Sequence, residues 1–340
     1  MAEAVTFGEL MLRLSPAGWR RFVQAPAFEA CYGGAEANVA VSLAQFGTSA
    51  EHVTKLPEGP LGDAACNELR RYGVDTRSVF RGGGRLGIYF LEKGASGRPS
   101  RVLYDREGSA FRRSSPEEWD WENRLRGARW FHFSGITPAL GENLAQACLD
   151  ACRTARRLGA TVSCDLNYRA RLWGREEARR VMSMLCGHVD VCMANEEDAF
   201  SVFGLGPDRK AFLSGGFDTE AYVDLAGELR RRFGFDKVAF TLRRSFSASD
   251  NGWSALLLDD EGAHCSREYS IHLVDRVGGG DAFDAGLIHG LLHGMGGAEA
   301  VEFGAAAGCL KQTVEGDFNL ATEEEVRRLA EGDGSGRVRR

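Results

Sequence analysis

Apolar and polar positions change period along this chain, and the changes divide it into elements. From Val5 to Leu14 they alternate well enough for a first strand, interrupted at Gly8-Glu9 and closed by Ser15-Pro16. Val39 to Phe46 has the spacing of an amphipathic helix, and a second helix follows the Gly62-Asp63 turn. Two short strand-like runs, Leu86 to Glu92 and Arg101 to Asp105, flank a turn at Gly94 to Pro99. Such a hairpin is not stable alone and must lie on something larger. From there strands and helices alternate. Strands are predicted at Trp130 to Phe133, Thr161 to Cys164, Val189 to Ala194 and Val238 to Leu242. Helices are predicted at Leu144 to Leu158, Arg175 to Leu185, Glu196 to Phe203 and Glu220 to Phe233. An apolar run at Ile271, Leu273 and Val274 gives way to a helix from Asp281, and Glu302 to Thr313 is a further, Ala/Gly-rich helix. The alternation predicts an α/β fold: a doubly wound, mostly parallel sheet flanked by helices, with sites at the C-terminal ends of the strands. Residues 204–216 read as a loop and 331–340 as a polar tail.

Composition narrows the class. The 340 residues suit two domains or one large α/β domain with an appendage. A hydrophobic content of 44% is ample for a core. The net charge of -6 leaves no basic footprint for nucleic acid. No apolar run approaches about 18 residues and the start of the chain lacks a signal-peptide pattern, so a soluble cytoplasmic protein with no membrane partner is expected. The nine cysteines include no C-x-x-C and are expected as reduced thiols.

Candidate chemistry concentrates at strand ends. Gly278, Gly279 and Gly280 precede Asp281 at a helix start, where bare backbone N–H groups and the helix dipole suit a phosphate. Asp281 at the mouth of that site could accept a hydroxyl proton, although the same residues also fit a flexible turn with an N-cap aspartate. Gly33 and Gly34, four to five residues before Asn38, would let a ligand approach the backbone or would simply start a helix. Gly82 to Gly87 satisfies G-x-G-x-x-G, but the strand-like residues after it exclude a dinucleotide fingerprint. Tyr104 and Arg106 lie on one face of their strand, either as lid packing and a solvated charge or as a phenol and guanidinium for a substrate carboxylate. Asp165-Leu166-Asn167-Tyr168-Arg169 lacks the glycine of a calcium loop. His289 and His293 have metal spacing without a third ligand nearby and read as a packing pair.

V-D-R-V-G-G-G-D-A-F resembles the C-terminal signature D-T-x-G-A-G-D of the ribokinase-like (PfkB) carbohydrate kinases, with Arg276 for the usual Thr and Gly279 for the usual Ala. Gly33-Gly34 with Asn38 is similar to the family's N-terminal G-G-x-x-x-N. The resemblance implies one kinase domain over 1–330, with a small β-sheet lid formed mainly by about 10–32 and 80–112 that covers the sugar and joins copies into a dimer or larger homo-oligomer. It implies Asp281 as catalytic base, the Gly278–Gly280 amides as anion hole, and Gly33, Gly34 and Asn38 at the sugar. ATP and Mg²⁺ are the implied cofactors. Asn195 and Asp198 match N-x-x-E, with Asp198 acting indirectly on the metal. Thr241 and Arg243 join Gly278 and Gly280 at the nucleotide, although this segment departs from the usual K-x-G-x-x-G. A monovalent cation such as K⁺ is implied beside Asp275. Within the family, Tyr89, Tyr104, Arg106, Arg169 and Asp317 match members that phosphorylate 2-keto-3-deoxygluconate, a sugar acid whose carboxylate needs the guanidinium groups. The alternatives are a fructokinase, a ribokinase, a 5-keto-2-deoxygluconate kinase, or a non-catalytic sugar-binding relative.

Overall fold

A computed structural model describes residues 2–206 and 218–334; the 207–216 part of the expected loop and the 335–340 end of the expected tail lie outside them. The strands in chain order are β1 (Ala4–Phe7), β2 (Met11–Ser15), β3 (Glu29–Gly33), β4 (Ala50–Leu56), β5 (Val79–Arg81), β6 (Gly87–Glu92) and β7 (Arg101–Asp105). They continue with β8 (Trp130–Ser134), β9 (Thr161–Asp165), β10 (Val191–Asn195), β11 (Lys237–Ser245), β12 (Asp250–Leu258), β13 (Ala263–Cys265) and β14 (Tyr269–His272). Ten of them form one sheet in the order β13-β12-β11-β10-β9-β8-β1-β4-β5, with β14 also on β12. Every pairing from β11 through to β5 is parallel, and β12 to β14 add an antiparallel edge. Helices cover both faces, giving two apolar layers. One is built on Phe7, Phe131, Leu144 and Met182, the other on Val39, Phe46, Phe283 and Phe303. This is the doubly wound arrangement that the alternating elements require.

The remaining four strands form a separate sheet in the order β3-β2-β6-β7. The expected first strand, Val5 to Leu14, is therefore two strands in two sheets, parting at Gly8-Glu9-Leu10. Alternation continues across the break because each half has its own buried face, so periodicity alone could not reveal it. A side chain at Gly8 would place its Cβ 2.0 Å from a carboxylate oxygen of Glu36, so the crossing point admits only glycine. β4 escaped sequence reading because it buries Glu51 and His52. The His52 ring bonds Thr6 Oγ1 at 2.7 Å and Glu51 accepts from Ser78, so polar residues occupy interior positions with partners. The helices Gly279–Leu292 and Gly297–Lys311 lie so close that a Cβ on Gly286 would meet the Gly304 Cα at 2.8 Å, which explains the Ala/Gly-rich composition. No helix among the described residues is long and apolar enough to cross a membrane.

Candidate active site

The C-terminal ends of β9, β10 and β11, the start of the helix Gly279–Leu292 and the underside of the small sheet enclose a cleft of about 660 Å³. Gly278 has φ 84°, and a Cβ there would lie 2.1 Å from the Asp317 carbonyl oxygen. A Cβ on Gly279 would press on Gln312, whereas Gly280 faces open space. The first two glycines let the turn close, and the third leaves the helix N-terminus bare toward the cleft. The turn is stapled from behind: the Val274 and Asp275 N–H groups donate to the Gln312 carbonyl, and buried Lys311 Nζ donates to the Gly316 carbonyl at 2.6 Å.

Asp281 lies in the first turn of that helix, on the cleft wall. Asn38 Nδ2 donates to its Oδ2 at 2.6 Å, and Asn38 is itself placed by the helix Ala35–Gln45. Burial raises the Asp281 pKa to about 7, with Asp317 and Glu36 adding to the rise, against the Asn38 hydrogen bond and Arg169. A carboxylate so placed is tuned for proton transfer near neutral pH. Sequence reading missed its acidic neighbours. Single oxygens of Asp165, at the end of β9, of Asp281, and of Asp284 lie within 4.8 Å of one another. Burial pushes the Asp165 and Asp284 carboxyls well up, and the charge of Asp281 adds to the rise of both. Glu36 is buried beneath this group and accepts from Ser134 N, Ser134 Oγ and Thr137 Oγ1 at 3.0, 2.8 and 2.7 Å.

The lid contributes a second constellation. Tyr89 on β6 donates to Asp317, and Arg13 on β2 donates to Asp317 at 2.7 Å and to Asp275 at 2.5 Å. All four side chains are buried. Burial opposes the Arg13 charge, but Asp317 and Asp275 raise its pKa overall. Arg13 therefore ties the lid to both flanks of the anion loop, and no local sequence feature announces it. Arg106, just beyond β7, donates through Nε to Glu9 Oε2 at 2.8 Å and through Nη2 to the same oxygen. Its guanidinium lies 5.5 Å from the Tyr104 ring centroid. Arg169 is exposed, and among the described residues it hydrogen-bonds the Tyr168 carbonyl at 3.0 Å while its charge acts on Asp165, Asp198 and Asp281. Tyr89, Tyr104, Arg106, Arg169 and Asp317 all line the cleft with Gly34 and Asn38. At its other end stand Asn195 and Thr241, side by side in the β10–β11 register, and Arg243, which is over the Trp253 ring.

Three expected site residues are placed elsewhere. Gly33 does not line the cleft; its missing side chain makes room for Asp317, whose Oδ2 would lie 2.0 Å from a Cβ. Asp198 is turned inward, accepting from Tyr168 N at 2.9 Å and Asn195 N at 3.4 Å, and burial pushes its pKa up to about 6. It closes a capping box with Asn195 and shapes the loop, away from the cleft surface. Asp275 lies behind the cleft, its Oδ2 held by Arg13 and the Gly316 N–H and its Oδ1 accepting from the Val277 N–H at 3.3 Å. His289 and His293 bond the same Thr48 hydroxyl, at 2.8 and 3.0 Å, as a packing pair would.

A cleft at the strand ends of a doubly wound sheet, with a buried carboxylate beside bare helix-start amides and a small sheet overhead, defines a sugar-phosphorylating class. The chain belongs to the pfkB family carbohydrate kinases, whose model matches residues 1–323. Among its relatives, a 2-dehydro-3-deoxygalactonokinase of Haloferax volcanii is 35% identical over 98% of each chain. A 2-dehydro-3-deoxygluconokinase of Bacillus subtilis is 30% identical over 95% of this chain and 94% of its own. The crystal structure of a 2-dehydro-3-deoxygluconokinase from Thermotoga maritima superposes with a TM-score of 0.93 at 51% identity, covering 98% of this chain and 99% of that one.

Proposed function

We propose that the protein transfers the γ-phosphate of ATP to the terminal hydroxyl of 2-keto-3-deoxygluconate (2-dehydro-3-deoxygluconate). The observation that carries this reading is one cleft with a near-neutral carboxylate and an anion loop at one end and guanidinium groups under an aromatic lid at the other. Phosphoryl transfer needs in-line positioning, charge neutralisation and a base for the acceptor hydroxyl. Asp281 takes the hydroxyl proton as the oxygen attacks the γ-phosphorus. The bond to the β-phosphate oxygen breaks, and ADP leaves with that electron pair. The Gly278–Gly280 N–H groups donate to the phosphoryl oxygens as charge develops. Asp165 and Asp284, beside the base, offer carboxylate oxygens of the kind a hard divalent cation takes, so these two residues would hold Mg²⁺, which when bound would neutralise phosphate charge. Arg169 has donors to spare for a substrate carboxylate, and Arg106 keeps Nη1 beyond the two donors given to Glu9. Names of relatives point to the same acid sugars.

A coupled ADP-release screen tests the reading by comparing keto-deoxy acids of both C4 configurations with fructose and ribose. Turnover of the acid at least tenfold above the neutral sugars is expected, and equal or greater kcat/KM on a neutral sugar overturns it. The lid also keeps Trp19 65% and Val23 92% exposed, which supports association of two copies through this sheet. Light scattering on the Trp19→Ser/Val23→Ser variant tests this: a shift to monomer is expected.

A further inference from the structure

Arg276 stands where the family signature carries Thr, and the mechanism above makes no use of it. It lines the cleft two positions before Gly278, with its side chain partly buried. Among the described residues its hydrogen bonds are two long ones from Nη2, to the Ser247 carbonyl at 3.5 Å and to Asn251 Oδ1 at 3.3 Å. The nearest acids in sequence are already engaged, Asp275 by Arg13 and Asp281 by Asn38. Burial lowers the Arg276 pKa with no carboxylate to offset it. A guanidinium offers five N–H donors, and desolvating one without a counter-charge is unfavourable. The lid arginines Arg13 and Arg106 are treated differently, each being paired with a carboxylate. The wall of the cleft thus carries a partly buried guanidinium whose remaining N–H donors suit an anion.

Two anions belong in the cleft on the reading above. The sugar carboxylate has Arg106 and Arg169 under the lid. The phosphate chain belongs at the anion loop, and the Arg276 guanidinium rests on the hairpin between β11 and β12, which also sends Arg243 and Ser245 to the cleft wall. We propose that Arg276 binds the phosphate chain of the nucleotide, taking oxygens of the β-phosphate and so holding the leaving group of the transfer. The residue gives this chain a fixed cation on the donor side, in a segment that lacks the usual K-x-G-x-x-G.

This inference rests on the kinase reading for its role in turnover, yet binding alone tests it. Calorimetry with Mg·ADP and with AMP on wild type, Arg276→Thr and Arg276→Lys distinguishes the outcomes. In Arg276→Thr the ADP affinity is expected to fall about 10- to 100-fold while AMP affinity stays within about twofold, with Arg276→Lys in between. Kinetically, KM for ATP rises and KM for the sugar acid does not. Unchanged ADP affinity in Arg276→Thr, or an equal loss for ADP and AMP, overturns the proposal. If wild type binds ADP but turns over no sugar, the reading of function fails while the ADP and AMP comparison still decides the role of Arg276. Should Arg276→Thr lose its cooperative melt, the lysine variant carries the same test, an ADP affinity equal to wild type with the AMP affinity also unchanged counting against the proposal.

Discussion

Arg13, buried behind the cleft, and Arg169, on its wall, have opposite surroundings. Arg13 is fully enclosed, and its donors are spent on Asp275, Asp317 and Ser15. Arg169 is exposed, with one bond to a neighbouring carbonyl. A buried guanidinium must be matched by carboxylates, and once matched it has little to offer a ligand. It fixes the positions of the groups around it. An exposed or unmatched one keeps its donors for an anion that arrives later. Arg106 stands between the two, anchored by Glu9 through two donors yet still at the cleft surface. Residue type alone does not separate scaffold from binding group at this site; the partner does.

The largest effect is expected where neither role can be shared. Asp281→Asn should lower kcat by about 10²–10⁴ while leaving ADP and sugar-acid binding in place, and near-normal kcat would remove Asp281 from the role of base. In wild type the free base must be ionised, so kcat/KM should fall as pH drops through about 7. A profile flat between pH 6 and 8 would contradict the raised carboxylate. Next, Arg13→Met leaves two buried carboxylates without their cation and should cost about 3–5 kcal/mol of stability in urea melts. A loss below about 1 kcal/mol would mean the lid is not tied down through this residue.

Substituting Arg106 and Arg169 sharpens the contrast. Both alanine variants should raise KM for the sugar acid by about tenfold or more, but only Arg106→Ala should also lower Tm, since Glu9 is then buried without its partner. Equal melting of the two variants would place Arg106 among the purely ligand-facing groups. The smallest expected effect concerns Asp284. Its carboxyl titrates higher in the folded protein than in the unfolded chain, so the stabilisation it gives is fully present below the unfolded value of about 4 and is lost as pH rises through its raised one. Without nucleotide or metal, Asp284→Asn should therefore raise Tm at pH 8 by about 2–4 °C and change it less at pH 5. A variant that melts lower at pH 8 would show that the charged carboxylate stabilises the fold.

Much of this molecule is legible from neighbours in sequence. The alternating strands and helices follow from local periodicity, and the anion loop follows from three glycines before a helix, because turn closure depends on the backbone of those residues themselves. The cleft assembles fourteen of the expected residues, from Gly34 to Asp317, and leaves Gly33, Asp198 and Asp275 behind it. Sequence alone does not separate a capping carboxylate such as Asp198 from a cleft-facing one, because both give the same signal at a helix start. The break between β1 and β2 was hidden for a related reason: two strands in different sheets can keep one alternating pattern.

Composition and period, then, determined an α/β scaffold with a glycine turn at a helix start, and the motifs' resemblance to a family supplied the kinase reading. The tertiary structure alone decided which charges are free. Arg13 meets its partners across 262 and 304 positions of chain, and Glu9 meets Arg106 across 97. The pairing energy of a charge depends on distance in space and on exclusion of water. Neither quantity is written in local residue order.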